Sequence, residues 1–142
     1  MMSAITSVIK DGQTYALFCS KQLSTDGACF VTEEKDAFQV GVLERPKGYR
    51  VEPHQHTERP AHISTVSEFL YIEKGSIRVT VFDEQWEELE RHELSAGDFL
   101  LFLRGGHALE VLEDARIVEV KQGPYPGPES AKIFQKEARR YL

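Results

Sequence analysis

The chain has 142 residues and a mass of 16.2 kDa, a length that suits one domain and, by area scaling, burial of roughly two-thirds of the unfolded surface. Hydrophobic residues make up 41% and charged residues 28%, which excludes a disordered chain, and no apolar run approaches the about 18 residues of a membrane span. Seventeen basic against 23 acidic side chains leave a net charge of −6, the wrong sign for a nucleic-acid binder.

The first eighteen residues lack a basic region leading into an apolar stretch, because Lys10 and Asp11 interrupt the only candidate. Two cysteines, Cys19 and Cys29, are too few for a disulfide framework, and neither has a zinc-ligand partner nearby in sequence. Small buried or half-buried thiols in a reduced, cytoplasmic protein are expected. Runs with β character fall at 14–18, 28–32, 38–43, 49–56, 68–72, 77–82, 89–94, 99–103, 107–112 and 116–121. Turn residues separate them: Asp26-Gly27, Pro46-Lys47-Gly48, Glu73-Lys74-Gly75, Ala96-Gly97-Asp98 and Gly105-Gly106. Many short strands at near-regular spacing predict an all-β antiparallel sandwich or barrel. The three prolines of Gly123-Pro124-Tyr125-Pro126-Gly127-Pro128 forbid helix or strand there, and a short helix is expected over 129–141, with Lys136, Arg139 and Arg140 at its cation-favouring end. The early run 28–32 is short and apolar, so pairing of that edge with a second copy predicts a homodimer.

Of five histidines, His54 and His56 stand two residues apart in a strand-like run, so their rings project to one face. Around them the sequence reads Gly48-x5-His54-x-His56, then Glu68-x6-Gly75. Later, Gly97-Asp98 opens a strand that ends at Arg104-Gly105-Gly106-His107. Together these segments resemble the two motifs of the cupin superfamily, over residues of about 41–121. The resemblance implies a single-domain jelly-roll β-barrel. It also implies one divalent metal held by His54, His56, Glu68 and His107. Two departures stand out. Eleven residues separate His56 from Glu68 where the family has three or four, which leaves Glu58 and His62 as rivals for the fourth ligand. In the later motif Leu103 replaces a proline, Gly105 lies one residue closer to the histidine, and Val111 replaces an asparagine. Glu68 is preferred because Leu70 and Ile72 follow it in strand phase.

Three imidazoles and a carboxylate suit Fe, Mn, Co, Ni, Cu or Zn, and make a poor Ca or Mg cage. One carboxylate against a divalent ion leaves about +1 charge, which attracts an anionic or enolisable small molecule. Arg50 and Glu52 share the parity of His54 and His56, as substrate contacts or a rim salt bridge. If Val118 and Val120 pack outward, Glu119 and Lys121 enter the pocket as an acid/base pair. His62 is a proton donor at the mouth or a plain loop residue. Arg78 is expected in solvent, His92 solvated in a charged hairpin, and Trp86 packed at an edge. The leading expectation is a metal-dependent enzyme, of isomerase or dioxygenase type, acting on a small anionic molecule. The other is a metal-dependent binding or sensor protein without turnover. Neither nucleic acid nor membrane is an expected partner.

Overall fold

The computed structural model describes residues 3–138. An antiparallel hairpin opens it: β1 (Ile5–Lys10) and β2 (Gln13–Cys19) turn at Asp11-Gly12, both with positive φ. Two left-handed residues of the Asp-Gly type make the tight hairpin turn whose twist matches that of the strands. β1 has no counterpart among the expected strands. β3 (Gly27–Phe30) and β4 (Gly41–Glu44) pair with each other as a separate two-stranded sheet.

The main sheet runs β1-β2-β7-β5-β6, with β8 on the remaining side of β5. β5 (Glu68–Phe82) merges two expected strands, and so does β8 (Gly106–Lys121). β6 (Glu88–Ser95) and β7 (Phe99–Phe102) lie where expected. The sheet is curled, and its register shows why. Phe102 pairs with Glu68 at one end of β5, while Gly106 pairs with Phe82 at the other. A straight strand of that length would hold its ends roughly 46 Å apart. Four residue steps from Phe102 to Gly106 reach only roughly 14 Å. The β5–β8 ribbon must therefore fold over on itself. It does so where the register slips three times, between Ile72 and Ile77. Gly75 sits in that stretch with φ +82°, and a Cβ there would overlap the Asp114 carbonyl oxygen.

The slip also exchanges the faces of β5. Leu70 and Ile72 face inward before it, and Ile77, Val79 and Val81 after it. With Val8, Tyr15, Ala16, Phe18, Leu94, Leu100 and Phe102 they form the concave core. Phe69, on the opposite face, packs with Leu17, Leu101 and Leu103 against Val31, Phe38 and Val40. The convex side is thus covered near β3 and β4, which lets β2 and β7 be apolar on both faces.

Three expectations need correction. The run 49–56 is not a strand: residues 45–67 carry no regular structure, and 49–66 are exposed. Pro46, Pro53 and Pro60 each remove a backbone donor along that stretch. His92 is half-buried and stacks on Phe18, with ring centroids 4.5 Å apart, where full exposure was expected. Of the helix expected over 129–141, the described residues form one turn, Gln135–Ala138, and 139–142 lie outside them. Trp86 packs at the β5–β6 turn against Phe82 as expected, with ring centroids 6.0 Å apart. Arg78 bridges Glu93 on β6 and Glu110 on β8, its cross-strand partners on either side. Cys19 is buried and Cys29 half-buried, both as free thiols. No helix among the described residues is long and apolar enough to cross a membrane.

Candidate functional site

The fold-over brings together side chains that are far apart along the ribbon. Glu68 begins β5, in phase with Leu70 and Ile72, so its carboxylate points to the concave side and is only 13% exposed. His107, the second residue of β8, lies opposite Val81 at the other end of the same ribbon. Its Nε2 lies 3.5 Å from Glu68 Oε2. The imidazole is stacked on Phe102, with ring centroids 3.8 Å apart and planes at 7°. Phe102 is also the register partner of Glu68 on β7. One aromatic ring therefore fixes the orientation of His107 beside the strand that carries Glu68.

Glu119 and Lys121 complete the cluster from the C-terminal half of β8. Their parity is that of Ala115 and Ile117, which pack on the concave core, while Val118 and Val120 face away. Glu119 hydrogen-bonds Glu68, and Lys121 Nζ lies 3.3 Å from Glu119 Oε1. This is the arrangement expected if the two valines point outward, although Val118 and Val120 are exposed rather than covered by another layer.

Burial sets the protonation of this group. It pushes the Glu68 carboxyl up to about 7, and the hydrogen bond with Glu119 pushes the same way. Glu119 moves down, held by that bond and by the Lys121 ammonium. Of the two carboxyls, Glu68 therefore holds a proton more readily than Glu119. Burial likewise pushes His107 down to about 4, assisted by the charges of Lys132 and Lys121. Near neutral pH His107 is uncharged, so its contact with Glu68 is not an ion pair. It is a meeting of two polar atoms, each with a lone pair to offer. Lys132 acts on Glu68, Glu119 and His107 from the C-terminal tail. Nothing in the sequence pattern marks it, because its approach depends on the path of the tail.

The remaining sequence candidates lie elsewhere. His54 and His56 face each other edge to face, with ring centroids 5.3 Å apart, on the exposed 45–67 connection. His54 Nδ1–H donates to the Glu52 carbonyl at 2.8 Å, which leaves the lone pair on Nε2. Glu58 and His62 are exposed on the same connection, as are Arg50 and Glu52. Glu58 lines a shallow surface hollow with Arg59 and Pro60, apart from the cluster. Among the described residues, no three His, Cys, Asp or Glu side chains are placed to hold one ion. The donors fall into a preset pair, Glu68 and His107, and an outlying pair, His54 and His56. Comparison with known proteins adds no assignment: no family model, curated protein or solved structure matches the chain.

Proposed function

We propose that the concave face is the site of one divalent transition metal, of the cupin jelly-roll kind, in an enzyme that acts on a small anionic molecule. Glu68 and His107 are the ligands that the sheet holds in place, and His54 and His56 are the ligands that the 45–67 connection supplies. The observation that carries this reading is the 3.5 Å between Glu68 Oε2 and His107 Nε2. Two donors each about 2.1 Å from a tetrahedral ion stand roughly 3.4 Å apart. Two half-buried polar groups facing each other at that separation suit a shared cation. The donor set, imidazoles with one carboxylate, selects the transition metals named above over Ca or Mg. The Nδ1–H bond of His54 already fixes the tautomer that a metal-ligating histidine needs.

When bound, the metal would supply Lewis-acid polarisation of a substrate oxygen or a centre for O₂ chemistry. The protein's own part is acid–base. Glu119 sits between Glu68 and Lys121, whose hydrogen bond and ammonium respectively keep it ionised, so Glu119 is the carboxylate able to accept a substrate proton and Lys121 the cation beside the negative charge left on the substrate. Lys121 and Lys132 add positive charge at the mouth, which favours an anion. This pair supports the enzyme reading over a binder without turnover, whose pocket would need only apolar walls. Elemental analysis of chain purified without chelator should find one metal per chain, and His54→Ala with His107→Ala should abolish it. Full metal content in that double variant would refute the site.

A further inference from the structure

Neither cysteine takes part in the acid–base group, and the fold turns the two toward each other. Cys19 ends β2 and is 1% exposed. Its register partner on β7 is Phe99, whose ring meets that of Phe69 on the convex side at 5.6 Å between centroids. Leu17, two residues before Cys19, lies in the same convex cluster. Cross-strand partners share a face, and so do residues two apart, which puts the Cys19 thiol on the convex side. Residues 20–26 then return the chain as β3, where exposure alternates: Ala28 and Phe30 are exposed, while Cys29 and Val31 are half-buried. Val31 packs on the cluster that holds Leu17, so Cys29, two residues before it, faces the same way. β3 thus returns over the face of β2, and the step from Leu17 to Cys19 is met by the step from Val31 back to Cys29. The electrostatics agree with that placement: burial pushes the Cys19 thiol up to about 12, and a thiolate at Cys29 pushes it the same way.

We propose that Cys19 and Cys29 are a redox pair, which a hydroperoxide closes into a disulfide between the two sheets and a dithiol reductant reopens. Cys29 is the entry point, because it is half-buried where Cys19 is closed to solvent. Its thiolate attacks a peroxide oxygen, the O–O bond breaks, and the departing hydroxide takes up a proton, which leaves a sulfenic acid on Cys29. Cys19 Sγ then attacks Cys29 Sγ. The S–O bond breaks, and the hydroxide that leaves takes the proton of the Cys19 thiol and departs as water. The pair of thiols loses an electron pair, the peroxide gains it, and both peroxide oxygens end as water. Burial makes Cys19 a poor target for the peroxide itself, and adjacency makes it effective as the resolving thiol. β3 and β4 pair with no strand of the main sheet and lie against it by side-chain packing. The bond therefore ties a separate hairpin to β2. The thiols are on the convex side, so the proposal stands apart from the metal reading.

The test treats the reduced full chain, held in chelator, with a stoichiometric amount of hydrogen peroxide. Both thiols should disappear from a thiol assay run after denaturation, with no larger species on a non-reducing gel and an intact mass lower by the hydrogens lost. Dithiothreitol should restore them. The oxidised chain should melt at least about 5 °C above the reduced one. Cys29→Ser should keep its Cys19 thiol at the same dose and show no such rise. Cys19→Ala should halt at the Cys29 sulfenic acid, trapped as its dimedone adduct, of which the wild type should yield roughly tenfold less. Surviving thiols in the wild type, interchain links alone, over-oxidised Cys29 beside a free Cys19, or a Cys19 thiol lost in Cys29→Ser overturns the pair. A bond formed with no rise in melting temperature overturns the tie between the sheets.

Discussion

Glu68 and its rivals differ by burial before they differ by anything else. Glu68 is held by strand phase on the concave face, and Glu58 is exposed on a connection that no strand fixes. A buried carboxyl needs a partner, whereas an exposed one is content in water. Glu68→Gln should therefore weaken metal affinity tenfold or more, and Glu58→Gln should leave it nearly unchanged, as read by competition with a chelator. A second residue-scale prediction concerns Asp83, which is 1% exposed at the β5–β6 turn. It accepts hydrogen bonds from Lys10 Nζ at 2.5 Å and from the amides of Gln85 and Glu87 at 2.9 Å each. Its partners, Lys10 foremost, hold its carboxyl below the ordinary 3.8. A depressed acid contributes stability that is fully present above its ordinary value and is lost as pH falls through the lowered one. Asp83→Asn should lower the melting temperature by several degrees at pH 7, and the gap from wild type should close as pH falls below the ordinary carboxylate range. Residue chemistry was partly legible in the sequence. The parity of Leu70 and Ile72 oriented Glu68 correctly. Glu119 and Lys121 were candidates on a condition that one strand alone could not decide. His92 was misread because its stacking partner, Phe18, is remote in sequence.

At the scale of elements the decisive feature is a turn that is not a turn. Glu73-Lys74-Gly75 reads as the end of one strand and the start of another, and the same holds for the stretch near Glu113–Arg116. In the structure both strands continue, and the three register slips fold the paired ribbon as a unit. Turn residues signal a change of direction, but a hairpin and a folded ribbon share that local signature. The Asp11-Gly12 hairpin is legible in the sequence, since a two-residue Asp-Gly turn between β-prone runs is a strong signal. The run 49–56 has the alternation of a strand, but alternation specifies a face and not a partner, and no partner pairs with it here. Gly75 gives a direct test of the fold-over. At Gly12, φ is +73° and a Cβ would meet nothing within 4 Å, so Gly12→Ala carries only the conformational cost of about 1–2 kcal/mol. At Gly75 the same cost is joined by overlap with backbone atoms of Asp114 and Ala115. Gly75→Ala should cost at least about 3 kcal/mol in denaturant unfolding and should lower metal affinity, because it opens the bend that joins Glu68 to His107. Equal losses for the two variants would show that the bend is not where the ribbon is constrained.

The whole molecule is an all-β chain in which a curled sheet closes over the concave core and, among the described residues, leaves several strand edges unpaired. One is β8, flanked by the exposed Leu109 and Val111. Another is β3, which pairs with β4 alone and carries Phe30, 56% exposed. Nothing unpaired in the 3–138 region matches β3 in length and polarity, so we propose that its edge is covered by a second copy. Antiparallel β3–β3 pairing across a two-fold axis would join two hairpins into a four-stranded sheet with one Phe30 at each end of the seam, and a short edge suits a self-complementary interface. Lys10, Arg78 and the Glu68–His107 cluster lie on the larger sheet, so such a dimer leaves each concave face free. Light scattering at micromolar concentration should then give twice 16.2 kDa. Phe30→Lys should return the mass to that of one chain, since a lysine on a short strand edge opposes strand addition. The variant should keep its metal, because the interface and the site share no residue. A wild-type chain that scatters as a monomer would refute the β3 interface. A Phe30→Lys chain that stays dimeric would move the interface to another edge.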